Sequence, residues 1–180
     1  SLHTINNYDS VFITVYDKVP AFRLKNPMKM LVDNRDVESL IDLKKSWQSE
    51  ESVAIIPKKT SVKREELKTL FRLIPEKYQR DHFVILTSGS TGIPKIVVGN
   101  KQRAEALAWK LHDLHCSEPV ESTILTLPLS YSFALVNQWV WSLVSGRNLI
   151  LTAGLFEGRD LLDALKQTGA TMLCLVGAQI

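Results

Sequence analysis

The stretch Leu86-Thr87-Ser88-Gly89-Ser90-Thr91-Gly92-Ile93-Pro94-Lys95 sets two glycines, four hydroxyl side chains and one lysine between two apolar segments. Glycine reaches positive φ at no steric cost and leaves room for close approach, so successive amides in such a run can turn their N–H groups onto one anion. Ser88, Ser90 and Thr91 add hydroxyl donors, and Lys95 adds a full positive charge. Pro94 fixes φ just before that lysine and carries no amide hydrogen, which stiffens the exit from the run. This is the chemistry of a phosphate-binding loop.

Other glycine-bearing signatures fail letter by letter. A Walker A loop needs glycine and lysine adjacent and followed by Ser or Thr, whereas Pro94 precedes Lys95 and Ile96 follows it. A dinucleotide fingerprint needs Gly-x-Gly-x-x-Gly, and the glycines here stand only at Gly89 and Gly92. A nucleophile elbow needs Gly-x-Ser-x-Gly, which Gly89-Ser90-Thr91-Gly92 does not supply. A plain Ser/Gly-rich surface loop would not need to end on proline and lysine.

Residues 87–95 resemble the phosphate-binding signature of the AMP-forming acyl-activating enzymes, which include acyl-CoA and aryl-CoA synthetases, peptide-synthetase adenylation domains and luciferases. That signature reads Thr-Ser-Gly-Ser/Thr-Thr-Gly-x-Pro-Lys-Gly, and the chain departs from it at Ile96, where the family usually has glycine. Further along, Leu127-Pro128-Leu129-Ser130-Tyr131-Ser132-Phe133-Ala134-Leu135 is similar to the family's Leu-Pro-Leu-x-His-x-x-Gly segment. Ser145-Gly146-Arg147-Asn148-Leu149-Ile150-Leu151 is similar to the Ser-Gly pair and apolar strand that come next in the family. Leu161-Leu162-Asp163-Ala164-Leu165 and Ala170-Thr171-Met172-Leu173-Cys174-Leu175-Val176 resemble the helix and strand after those. The likeness covers roughly residues 83–180, while residues 1–81 carry little of it. Tyr131 replaces the customary histidine, Ala134 the customary glycine and Gly177 a customary proline.

The resemblance implies an α/β fold, a layered sheet of parallel strands flanked by helices, like part of the large N-terminal domain of these enzymes. It implies a shortened N-terminal lobe over residues 1–81 and a truncated phosphate-loop α/β subdomain over residues 82–180. The implied activity is that of an ATP-dependent ligase. A carboxylic acid would be activated as acyl-AMP with release of pyrophosphate, then passed to a thiol of CoA or of a carrier's pantetheine. ATP and Mg2+ would be its cofactors. Ser88, Ser90, Thr91 and Lys95 would bind the phosphates, with Thr87, Gly89 and Gly92 shaping the loop and Lys95 in the catalytic role. Tyr131 and Phe133 would border the acyl substrate. The family's adenine, ribose, hinge and C-terminal lysine elements are expected beyond the position of Ile180, so a fragment inactive by itself is expected. The alternative is a degenerate, non-catalytic domain kept as a scaffold or binding module, and a weaker one is an unrelated phosphotransferase.

Composition agrees with a piece of a globular enzyme. With 180 residues, 45% hydrophobic and 23% charged, the chain can bury a substantial core. Its most apolar stretch, Tyr131 to Val144, is broken by Asn137-Gln138 and is too short for a bilayer, and a cytoplasmic location is the default. A net charge of +3 with scattered basic residues does not imply nucleic acid. The densest basic cluster, Lys58-Lys59 with Lys63-Arg64, flanks Glu65-Glu66 and reads as a solvated helix start. Cys116 and Cys174 predict reduced thiols. His112, His115 and Cys116 share about one helical turn but lack a clear fourth ligand, so they read as surface or half-buried side chains and no metal site is assigned.

Hydrophobic periodicity predicts strands over residues 82–87, 95–98, 123–127, 148–152 and 170–176. Helices are predicted over 101–115, capped by Asn100, over 133–144, ended by Gly146, and over 158–167, stopped by Gly169. The alternation implies parallel pairing with crossovers. Ahead of the loop, strands over 11–16 and 52–56 and helices over 37–48 and 62–73 are predicted, with turns at Lys25-Asn26-Pro27 and Asp33-Asn34-Arg35.

Overall fold

The computed structural model describes residues 14–15, 28–60, 62–87, 95–151 and 158–175. The chain divides into two compact units, Ser1–Arg103 and Ala104–Ile180.

The first unit is built on a five-stranded sheet with order β1-β5-β4-β3-β2. Its strands are β1 (Thr14–Val15), β2 (Lys29–Asp33), β3 (Val53–Pro57), β4 (His82–Thr87) and β5 (Lys95–Asn100). Strands β2, β3 and β4 run parallel, with α1 (Val37–Gln48) and α2 (Arg64–Arg72) as the intervening helices. Strand β5 returns antiparallel to β4, and β1 pairs antiparallel with β5. Between β4 and β2, β3 reads Val53-Ala54-Ile55-Ile56, all buried, as a strand covered on both faces must.

Side chains alternate across the sheet, which sorts the core into two layers. Ala54, Ile56, Val84, Leu86, Ile96 and Val98 pack with Leu67 and Phe71 of α2 and with Ile74. On the opposite face Phe83 stacks on Trp47 of α1, ring centroids 5.4 Å apart. Gly99 lies across from Phe83 in the β4–β5 ladder, and a Cβ there would fall 2.2 Å from the Phe83 ring. The missing side chain is therefore what lets that ring lie flat over the strand.

Two polar devices fix the ends of α1. At its start the Ser39 N–H donates to the Asp36 carboxylate at 2.8 Å, and the Ser39 hydroxyl oxygen faces the Asp36 N–H, a capping box. At its end the Lys101 ammonium donates to the carbonyls of Ser46, Ser49 and Glu51 at 2.7, 2.8 and 2.6 Å. Lys101 is only 3% exposed, so this buried charge is held by the negative end of a helix and its orphan carbonyls.

Helix α3 (Lys101–Leu114) contains the division between the units and starts as the sequence predicts, its Arg103 N–H donating to the Asn100 side chain at 3.0 Å. In the second unit β6 (Ser122–Leu125), β7 (Asn148–Leu151) and β8 (Thr171–Met172) form a parallel sheet with order β7-β6-β8. Between β6 and β7 run α4 (Ser132–Ala134), a π-helical segment (Leu135–Val140) and α5 (Trp141–Ser145), and α6 (Gly158–Gln167) precedes β8.

Several expectations are corrected. The helix predicted over 133–144 is not α throughout, because Leu135–Val140 winds as a π-helix inside a stretch buried on nearly every side. The last strand is two residues long where seven were expected, with residues 173–175 outside the ladder. Gly146 does close α5 with φ +67°, but Gly169 is not left-handed; a Cβ on it would meet the Glu121 carboxylate at 2.6 Å. Strand β2 has no counterpart among the predicted elements, and the antiparallel sense of β5 was not specified by the pattern. The turn at residues 25–27 lies outside the described residues.

Candidate phosphate-loop site

Strands β4 and β5 form a six-pair ladder running from His82↔Asn100 to Thr87↔Lys95. The sequence run is thus anchored at both ends by paired backbone, at the carboxyl end of a strand that is parallel to β3. Ser88, Gly89, Ser90, Thr91 and Gly92, with Ile93 and Pro94, lie outside the described residues. Thr87 closes β4, and Lys95 opens β5 with its side chain exposed and in no ion pair among the described residues. Next to it Ile96 is buried in the core with Leu86 and Val98. The departure from the family's glycine therefore has a packing role, and it fixes where the lysine emerges.

Tyr131 and Phe133 belong to the second unit. Tyr131 is 58% exposed at the N-cap of α4 and Phe133 is 41% exposed, so neither is a core side chain. The Asn137 amide donates to the Phe133 carbonyl at 2.8 Å. One turn on, Gln138 is fully buried, and its amide nitrogen donates to the Ile124 carbonyl while its Oε1 has no partner among the described residues. Thr126, also buried, donates to the Cys174 carbonyl at 2.8 Å. This polar seam had only one sequence signal, a glutamine set among Val136, Trp139 and Val140.

The histidine-cysteine trio separates. His112 is buried, 6% exposed, between the rings of Trp109 and Trp141 at centroid distances of 5.5 and 6.0 Å, while Cys116 and His115 are exposed. Burial of His112 corrects the expectation of a surface or half-buried side chain. Among the described residues no His, Cys, Asp or Glu group is disposed to hold a metal. Burial raises the Cys174 thiol above its ordinary pKa. No helix among the described residues is long and apolar enough to cross a membrane.

The model of the AMP-binding enzyme family matches residues 3–180. This chain belongs to that family. The match reaches back through the first 81 residues, where the motifs alone showed little likeness. Among solved structures, o-succinylbenzoate CoA synthetase (MenE) from Bacillus subtilis in complex with the acyl-adenylate OSB-AMP is similar at 16% identity and a TM-score of 0.59, over 88% of this chain and 51% of that one. The same enzyme with AMP gives 16% identity and a TM-score of 0.61, over 87% and 40%. ATP-bound MatB from Rhodopseudomonas palustris gives 14% identity and a TM-score of 0.51, over 84% and 47%. At these identities the likeness is one of fold, and this chain spans about half the length of those structures or less. No curated protein matches the chain.

Proposed function

We propose that this AMP-binding chain is the phosphate-loop portion of an ATP-dependent acid–thiol ligase. The observation that carries the reading is the run from Thr87 to Lys95, hung between two paired strands at the carboxyl ends of the parallel strands β2, β3 and β4, the edge at which α/β folds bind phosphorylated ligands. A substrate carboxylate oxygen attacks the α-phosphorus of ATP, the bond to the bridging oxygen breaks, and pyrophosphate leaves. A thiol of CoA or of a carrier's pantetheine then displaces AMP from the acyl carbon. Hydroxyls of Ser88, Ser90 and Thr91, loop amides shaped by Thr87, Gly89 and Gly92, and the Lys95 ammonium would gather the charge that develops on the leaving group. Magnesium would travel with the nucleotide's phosphates. Tyr131 and Phe133, exposed at the start of α4, would border the acid. The functional segment then begins with β4 at residue 82, within the first compact unit.

A non-catalytic scaffold is the second reading, and the replacement of histidine by Tyr131 is what favours it. Ile96 does not favour it, since the core accounts for that residue. The test is adenylation kinetics of the longer protein that carries this chain, with Lys95→Ala. Losing one preorganised cation costs on the order of 3 kcal/mol in the transition state, about a hundredfold in rate. A change below about twofold removes the role assigned to Lys95.

A further inference from the structure

Strand β2 ends the sheet of the first unit, with β3 as its one neighbour among the described residues. All five of its residues pair with β3 in unbroken register, from Lys29↔Val53 to Asp33↔Pro57. Backbone N–H and C=O groups alternate in direction along a strand, so a strand paired on one side presents a row of donors and acceptors on the other. Proteins blunt such an edge with proline, a bulge or charge along its length. Lys29-Met30-Leu31-Val32-Asp33 has no proline and no break in its ladder, and its charges stand only at its two ends.

The order of these residues is complementary to itself. Laid antiparallel on a second copy and centred on Leu31, the strand sets Lys29 opposite Asp33, Met30 opposite Val32 and Leu31 opposite its own copy. Opposite charges and apolar pairs facing each other across strands stabilise a ladder, and like charges destabilise it. A parallel pairing would set Lys29 on Lys29 and Asp33 on Asp33, and moving the antiparallel register by two residues either way sets a charge opposite Leu31. Side-chain placement agrees with the centred register. Met30 packs against the core layer of Ile56 and α2, and Val32, two residues on, lies on the same face and is 46% exposed. The pairing covers each Val32 with the Met30 of the other copy and carries that core layer across the edge. On the opposite face Asp33 is buried where the Arg35 guanidinium feels its charge, while Lys29 is exposed, so the long lysine stem is the member of each pair that reaches.

We infer that the outer edge of β2 is a docking surface for a second copy of this chain, joined antiparallel across a two-fold axis at Leu31. The two sheets then continue into one. No residue of the 87–95 run takes part, so the inference stands apart from the phosphate-loop reading. A five-residue ladder is a small interface, and the dimer is expected to dissociate at about 10–100 μM.

Sedimentation velocity of the whole 180-residue chain across that range tests it, with a monomer–dimer equilibrium as the expected result. Lys29→Glu sets an acid against Asp33, and Val32→Lys sets a charge against Met30. Each should weaken the dimer about tenfold or more and leave the circular dichroism spectrum unchanged. Leu162→Ser, which removes an exposed leucine from α6, should change it by less than about twofold. Register is read by cross-linking in a Cys116→Ser/Cys174→Ser background. Leu31→Cys sets two thiols on facing residues with Cα atoms about 5 Å apart, within disulfide reach, whereas Lys29→Cys leaves its two copies about 14 Å apart. Mild oxidation should link the first and not the second, and this pattern decides if an edge variant loses its fold. A monomer at every concentration overturns the inference and leaves the edge to a strand from another source. So does a dimer indifferent to Lys29→Glu and Val32→Lys, one weakened equally by Leu162→Ser, or equal cross-linking at positions 29 and 31.

Discussion

At Gly99 the fold has room for a hydrogen atom and nothing larger. A Cβ would lie 2.2 Å from the Phe83 ring, so Gly99→Ala must displace that ring and with it the stack on Trp47. Overpacking of this kind costs about 1–3 kcal/mol, and the urea midpoint should fall accordingly. Combining it with Phe83→Leu should recover part of the loss; strict additivity of the two changes would contradict the clash. Lys101 makes the opposite demand, since its ammonium is the partner of three carbonyls at the end of α1. Lys101→Met should destabilise by about 3 kcal/mol, because charge-assisted bonds are lost and buried acceptors are left bare, whereas Lys110→Met on the exposed face of α3 should cost less than about 0.5 kcal/mol. Equal unfolding midpoints for the two variants would show that the carbonyl cluster is not held by Lys101. Neither role is visible in the sequence: a glycine after two valines and a lysine at a helix start look ordinary until the residues packed on them are known.

Among the elements, α1 spans the residues 37–48 that the sequence predicts, because its pattern through Trp47 is a local signal, and the structure adds the capping box of Asp36 and Ser39. Hydrogen bonding from the Ser39 N–H, first among several causes, holds the Asp36 carboxyl below its ordinary range. A carboxylate with a depressed folded-state pKa contributes stability above its unfolded value, and that contribution is lost as the pH falls through the folded one. The difference in melting temperature between the native chain and Asp36→Ala should therefore be constant near neutrality and shrink below about pH 4. A gap that persists unchanged in acid would mean that the carboxylate's charge is not what caps α1. The π-helical segment was not legible. No proline or glycine interrupts Leu135–Val140, and the widening belongs to a helix whose buried side chains, Gln138 among them, must meet several neighbours at once. Replacing the donor of Gln138 should expose its role. Gln138→Leu strands the Ile124 carbonyl and should cost about 2 kcal/mol, and Gln138→Glu should cost more by placing acceptor against acceptor. Equal stability of both variants and the native chain in chemical denaturation would remove the seam's structural role.

For the whole chain, we expect phosphate binding without turnover. It spans about half the length of the similar adenylate-forming structures or less, so carboxylate-dependent exchange of labelled pyrophosphate into ATP should stay at background with the purified 180-residue chain. Exchange above background would show that these residues suffice for adenylation. What the sequence determined by itself is the α/β class, because alternating strands and helices arise from periods of two and 3.6 residues. The phosphate-binding role proposed for the loop rests on the residue types alone, on glycine's backbone freedom, hydroxyl donors and the charge of a lysine. The tertiary structure alone decided the antiparallel return of β5, the membership of β2 in the sheet, the burial of Ile96 and Lys101, and the brevity of β8. Each of these depends on which residues meet across long sequence separations. Backbone hydrogen bonds and buried carbonyls must find partners wherever the packed layers place them, and no local window contains that information.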